Sequence, residues 1–475
     1  MSLVQFQNSE VVAQNSQTTY NSNAGTFNLN FEIAGSANMA LDLNSIRLLA
    51  NVDYLTGEGK HLNNNNIYRL PVRVLGTAVG TVKPALAPIF DQTTQPFVDV
   101  DCRTGVNMCI NSILWQDAKN NNLENVHSYP HLMNKITSLT TSQNDALTWM
   151  GHGYGICGGG SSLINQQSIN SKKILSIKLY TGMTQSAPIP YSMASGRIKL
   201  SIQLNGSSSV FNGGENYGAN FGQGTGNASI NGGCSYRLSN VKLIFRNLIF
   251  PEDAPQLKSY QYKHFSSLQN TINSSNNTNI YQPNSSNAIS LLTSFIPSEN
   301  LNNFSKNSVQ SDKLQNSPAN PAGIYPANVN SRVDIRQTNF LKNNQNYPLE
   351  FPVDETIYTQ NFNGLNNYDV QRSFYYTSCI VPSNKLNNTL LNSSTENYGS
   401  FTEDTSPDFN VPVSSGVGIR YATVNSVSGS NFLNGQSFQQ QITSGLNSSQ
   451  NNEMFSNVMS SKNIVIGTEG PVIIN

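Results

Sequence analysis

Charge is scarce in this sequence: only 11% of its 475 residues are Asp, Glu, Lys or Arg, and 27 basic against 27 acidic residues leave a formal net charge of +0. Binding nucleic-acid phosphates draws on a surplus of Lys and Arg that displaces counterions, so direct sequence-specific nucleic-acid binding is not expected. Cysteine is equally sparse. Cys102, Cys109, Cys157, Cys234 and Cys379 are scattered, odd in number and never spaced as CxxC. That excludes a disulfide framework or a structural zinc site as the organising device, and the thiols read as reduced and mostly buried. No stretch approaches the ~18 consecutive apolar residues of a membrane span, and the start MSLVQFQNSE lacks the basic and apolar regions of a secretory signal. The expectation is a chain neither secreted by that route nor membrane-spanning. Long helical periodicity is nearly absent as well.

Asparagine is abundant instead, at about 70 residues, and hydrophobic residues make up 37%. Polarity is therefore carried by amides and hydroxyls. Asn-x-Ser/Thr triplets such as those at Asn227, Asn273 and Asn284 arise by chance in such a composition. A neutral surface lacks self-repulsion, which suits a protein that packs against copies of itself. The length corresponds to about three average domains or two large all-β ones.

Alternation with period two is the dominant pattern. Phe27, Leu29, Phe31 and Ile33 face one way while Asn28, Asn30 and Glu32 face the other, the signature of a half-buried strand. The same rule runs through Ile46, Leu48, Ala50, Val52 and Tyr54; through Ile174, Ile177 and Leu179 after one slip; and through Ile198, Leu200, Ile202 and Leu204. It continues in Val241, Leu243 and Phe245, then at Phe374 to Ile380, Val417 to Val424 and Ile464 to Ile474. Asn, Gly, Ser and Pro separate the runs, and many short strands so spaced predict all-β sandwiches. One short helix is expected, capped by Ser128, with Pro130 in its first turn and Leu132, Ile136 and Leu139 on one face.

Two long polar stretches interrupt the strands. Gly206 to Gly233 reads as an exposed insertion, and Asn270 to Asn328 as loops around one strand at Ile289, Leu291, Leu292, Phe295 and Ile296. FPEDAPQ, Phe250 to Gln256, carries two prolines after a strong strand and marks the domain boundary. It separates residues 20–250 from residues 255–475, with 1–19 as an N-terminal arm; the halves close on the extended segments Tyr236 to Ile249 and Asn463 to Ile474.

Candidate chemistry is thin. Gly153, Gly155 and Gly158 fit G-x-G-x-x-G, but that pattern cradles phosphate only between a strand and a helix, and the following GGSSLINQQSINSKK is polar and loop-like. Cys157 sits in a Gly-Ile-Cys-Gly-Gly stretch that resembles a nucleophile elbow without its strand-turn-helix setting, and His152 is too near in sequence to be assigned a role. Glu124, His127 and His131 have metal-ligand chemistry, since i and i+4 imidazoles share a helix face, but a helix starting near Ser128 leaves Glu124 and His127 outside it. Trp115 and Trp149 read as core or interface anchors. No motif places a pair of carboxylates. No catalytic, cofactor-binding or metal-binding residue is assigned, and no cofactor is expected.

Four segments resemble the double jelly-roll major capsid proteins of virophages, polinton-like viruses and adintoviruses, relatives of the adenovirus hexon lineage. Gly105 to Leu139 is similar to the family's strand, short "leucine-glutamate-x-isoleucine" turn and "tyrosine-x-x-leucine" helix, here Leu123, Glu124, Val126, Tyr129 and Leu132. Tyr236 to Leu243 resembles the strand closing the first jelly roll. Asn344 to Tyr358 resembles the tyrosine-proline segment of the second, through Tyr347, Pro348 and Pro352, and Asn463 to Ile474 resembles the final strand. The long Asn-rich stretches match no segment of the family. The resemblance implies an all-β fold of two tandem eight-stranded jelly-roll sandwiches with long polar loops and one or two short helices. It also implies a non-enzymatic major capsid protein, made inside the infected host cell and located in the virion. Three copies would form a pseudo-hexagonal capsomer that meets neighbouring capsomers, penton and minor capsid proteins in an icosahedral shell. A minor vertex protein of the same particle and a β-rich surface adhesin are the alternatives, the adhesin requiring a sugar site and a leader.

Overall fold

The computed structural model describes residues 4–14, 19–21, 28–56, 73–75, 86–88, 98–100, 105–133, 173–213, 234–252, 257–281, 288–298, 301, 335–342, 344–346, 424–428, 438–444, 451–467 and 470–474. Its first half contains β1 (Gln5–Val12), β2 (Thr19–Asn21), β3 (Asn28–Ala34), β4 (Met39–Thr56), β5 (Arg73–Leu75), β6 (Leu86–Pro88), β7 (Val98–Val100), β8 (Ile110–Asp117), β9 (Asn122–Val126), β10 (Lys173–Lys178), β11 (Ile189–Pro190), β12 (Arg197–Leu204), β13 (Phe211–Gly213) and β14 (Cys234–Ile249). The second half contains β15 (Ser259–Ile272), β16 (Asn276–Tyr281), β17 (Ala288–Pro297), β18 (Ile335–Lys342), β19 (Gln345–Asn346), β20 (Val424–Ser428), β21 (Phe438–Ser444), β22 (Asn452–Gly467) and β23 (Gly470–Ile474).

The hydrogen-bonded order identifies the architecture. One sheet runs β1-β14-β4-β10, and the opposing four strands run β3-β12-β8-β9. Taking these eight strands in chain order, the first sheet is first-eighth-third-sixth and the second is second-seventh-fourth-fifth, which is the Greek-key winding of a jelly roll. The second half repeats it strand for strand, as β15-β22-β17-β20 and β16-β21-β18-β19. The chain is a double jelly roll.

Alternation builds the cores as the sequence predicts. Leu29, Phe31 and Ile33 on β3, Ile46, Leu48, Ala50 and Val52 on β4, Ile198, Leu200, Ile202 and Leu204 on β12, and Val241, Leu243 and Phe245 on β14 are all buried. The long β4·β14 ladder survives two irregularities. At one, the Ser45 hydroxyl donates to the Asp42 carbonyl at 2.6 Å and accepts the Arg246 N–H at 2.8 Å, so the groups freed by the register shift stay paired. At the other, Asn240 takes φ 51°, a left-handed position that Asn tolerates better than most residues. In the second sandwich the two sheets meet through a buried polar contact, Thr293 Oγ1 on β17 donating to Gln440 Oε1 on β21 at 3.3 Å. Tyr262, Phe265, Ile272, Ile296, Ile442, Met454 and Val458 are buried in this half.

Several local readings change. Ile464 to Ile474 is two strands: β22 turns back at Gly467 and Gly470 into antiparallel β23, with Gly470 at φ 113°. A single period-two run cannot distinguish one strand from a tight hairpin. The polar stretch from Asn270 holds the end of β15 and all of β16 besides the expected strand β17. Gln5–Val12, within the stretch read as an arm, pairs along its length with β14 as the first strand of the first sandwich. The short helix is present over 129–133, but Ser128 sits at φ 52° rather than in the extended conformation of an ordinary N-cap. Ile136 and Leu139 lie outside the described residues, as do 214–233, Phe374 to Ile380 and Val417 to Ala422.

Candidate functional site

The two sandwiches share one sheet. The β3-β12-β8-β9 layer of the first continues through β9 into β15 of the second, giving a nine-stranded sheet whose only parallel step is Asn125 against Ser266. This seam is where the described residues concentrate their buried polar chemistry. Glu124 on β9 is buried, and its Oε1 accepts the Gly182 N–H and the Phe265 N–H, both at 2.7 Å, while Oε2 accepts the Met183 N–H at 2.8 Å. Burial pushes the Glu124 carboxyl up to about 7 against the pull of these bonds, so the ionised form that fits the three backbone donors prevails in mildly alkaline solution.

The turn after β10 supplies most of these donors because its own polar groups are already arranged. The Thr181 N–H donates to Thr184 Oγ1 at 2.9 Å, Thr184 Oγ1 donates to the Thr181 carbonyl at 3.0 Å, and Trp115 Nε1–H donates to Thr181 Oγ1 at 3.2 Å. Gly182 then passes so close to β15 that a Cβ there would lie 2.5 Å from His264 Cα. Further bonds cross the seam from Tyr262 Oη–H to the Leu123 carbonyl at 3.2 Å, from the Lys263 N–H to Ser186 Oγ at 2.8 Å and from the His127 N–H to Ser267 Oγ at 3.2 Å. His264 is buried, and desolvation first, then the nearby Lys462 charge, lowers its imidazole to about 4.

The residues with metal-ligand chemistry are not brought together as a site. Glu124 turns into the seam, the His127 side chain is exposed, and the His131 ring stacks on Phe455 with centroids 3.6 Å apart. Among the described residues no three His, Cys, Asp or Glu side chains form a metal-binding group. Trp115 is a core residue, as expected, and Cys109 is buried with its thiol raised by desolvation. Gly153, Gly155, Gly158, His152, Cys157, Trp149, Cys102 and Cys379 lie outside the described residues. No helix among the described residues is long and apolar enough to cross a membrane. The role of Glu124 as a junction anion was missed by sequence reasoning; the one signal was an acidic residue set between the inward-facing Leu123 and Val126, an unusual place for an unpaired charge.

Large apolar side chains are exposed on two outer strands. Phe6 (64%) and Val12 (64%) lie on β1, and Val472 (53%) and Ile474 (48%) on β23. β1 is an edge of its sheet, where unpaired backbone groups beside exposed apolar residues favour association with another surface.

No protein-family model matches the sequence, and no curated protein matches it. Solved structures do match its fold. The Faustovirus major capsid protein superposes with a TM-score of 0.56 at 8% identity, over 98% of this chain and 91% of its own. The quasi-atomic model of the PBCV-1 virus capsid gives 0.53 at 10% identity, over 100% of this chain and 98% of that one. The crystal structure of PBCV-1 VP54, fitted into a reconstruction of the virophage Sputnik, gives 0.50 at 8% identity, over 100% and 98%. At these identities the likeness is one of fold, and it extends over both sandwiches: this chain has the double jelly-roll fold found in those capsid proteins.

Proposed function

We propose that this chain is the major capsid protein of an icosahedral virus. Three copies form a pseudo-hexagonal capsomer of six jelly rolls, and capsomers tile a shell completed by penton and minor capsid proteins. The observation that carries this reading is the winding order, repeated in full in two sandwiches that share one sheet, together with full-length likeness to capsid subunits. Residues 20–250, extended by β1, and 255–475 are the two building units. Closed cyclic assembly needs heterologous contacts, and the exposed apolar residues of β1 and β23 are available to make them. In this reading the chain has no catalytic or metal site, needs no cofactor and resides in the virion.

Native mass spectrometry of the purified protein tests it. The expected species is a stable trimer of about three times the 51.9 kDa chain mass, accompanied by shell-like particles under assembly conditions. A pentamer would favour a vertex protein, and a monomer that binds sugar would favour an adhesin.

A further inference from the structure

We propose that Glu124 is the clasp that makes the two jelly rolls one cooperative folding unit. The other bonds across the seam, such as those from Tyr262 to the Leu123 carbonyl, from Lys263 to Ser186 and from His127 to Ser267, are between neutral groups. Two sandwiches, each with its own core, are expected to unfold separately unless the interface between them is strongly coupled. Here the shared sheet crosses the seam by a single parallel step, Asn125 against Ser266. One step of ladder is a weak coupling.

Glu124 adds a coupling of a different kind. Its carboxylate collects the Gly182 and Met183 N–H groups from the first sandwich and the Phe265 N–H from the second. The cross-seam bond from Phe265 shares Oε1 with the bond from Gly182, so β15 cannot leave without disturbing the turn. If the sandwiches part, a buried carboxylate and the backbone donors around it lose their partners together, and that loss is what makes an opening all-or-none. Charged groups near the carboxylate do not replace it: among the described residues no Lys, Arg or His forms an ion pair with Glu124, and Lys462 on β22 is the cation that senses its field. The Thr181 hydroxyl oxygen already accepts from Trp115 Nε1–H and from the Thr184 N–H, so it is not free to accept from an amide at position 124. An amide in place of the carboxylate would point its N–H₂ at groups that are themselves donors. Gln is therefore a disruptive replacement despite its shape.

The test uses the full chain at about pH 8, where the carboxylate is ionised, and combines calorimetry with amide hydrogen exchange. Wild-type protein should unfold in one transition spanning both sandwiches, and the Gly182, Met183 and Phe265 amides should exchange only by the opening that exposes the β4 and β22 cores. Glu124→Gln should split the transition in two and raise exchange at those three amides by about 10- to 100-fold relative to the cores. Two transitions in the wild type, or a Glu124→Gln protein that still unfolds in one transition with protected seam amides, would overturn the proposal. The wild-type exchange rates decide the matter even where the variant does not fold: seam amides that exchange faster than both cores would show that the sandwiches part independently.

Discussion

Asn125 of β9 faces Ser266 of β15 in a parallel step, the one ladder pairing among the described residues between a strand of the first sandwich and a strand of the second. Every other ladder in the described residues is antiparallel, as jelly-roll winding requires. Beside this step the turn at Gly182 packs directly against the β15 backbone. Gly182 lies in an ordinary right-handed conformation at φ −59°, so it is required there for space rather than for backbone freedom. A Cβ would stand 2.5 Å from His264 Cα and 2.7 Å from the Lys263 carbonyl carbon, and neither backbone can yield without moving a strand. Gly182→Ala should therefore cost about 1–3 kcal/mol, the usual penalty of overpacking. Denaturant unfolding of the purified variant checks this, and an unchanged midpoint would mean that the seam gives way easily.

Leu200 and Leu243 stand on β12 and β14, the strands next to the outer edges of the first sandwich's two sheets, and both are essentially inaccessible. Truncating either to Ala removes buried methyl groups and leaves a void that close-packed neighbours fill only in part. Each change should destabilise the protein by about 2–5 kcal/mol. A loss below about 1 kcal/mol at either position would show that the core collapses around the gap.

The sequence made the strands legible where one face was buried and the other was wet. β3, β4, β12 and β14 alternate plainly because their inward residues are apolar and most of their outward ones are polar or charged, such as Asn30, Arg47, Lys199 and Lys242. β1 was illegible for the opposite reason: Phe6 and Val12 point outward, and most of the strand is exposed, so no inward stripe stands out. β22 is buried on both faces from Met454 to Ser460, which replaces alternation with a run of mixed Met, Phe, Ser, Asn and Val. The bonds across the seam could not be read. Glu124 and Phe265 are 141 positions apart, and no local pattern encodes a contact made by backbone N–H groups.

His264 should give the protein a distinct acid limb. Its folded imidazole is lowered to about 4 while the unfolded chain protonates near the ordinary histidine value of 6.5. The unfolded state thus takes up the proton first, and the stability His264 contributes is present above about 6.5 and lost as pH falls toward 4. His264→Gln removes that titration. Thermal midpoints measured across this window should fall more steeply for the wild type than for the variant, and parallel curves would place the imidazole in contact with solvent.

The final prediction concerns chemistry. His127 is exposed, His131 is stacked on Phe455, and Glu124 spends its oxygens on backbone donors, so a metal would have to pull Glu124 and His131 from their present partners. Nucleophilic or metal-assisted catalysis needs groups oriented toward one another, and the described residues offer no such set. Replacing His127, His131 and Cys157 together by Ala should leave capsomer assembly intact. The measurable cost should be the lost ring stacking at His131, about 0.5–1.5 kcal/mol beyond area burial for a stacked pair. Elemental analysis of the purified protein beside a particle-assembly test of the triple variant provides the check. Stoichiometric zinc together with failed assembly would establish a metal site built from these residues and end the purely structural reading.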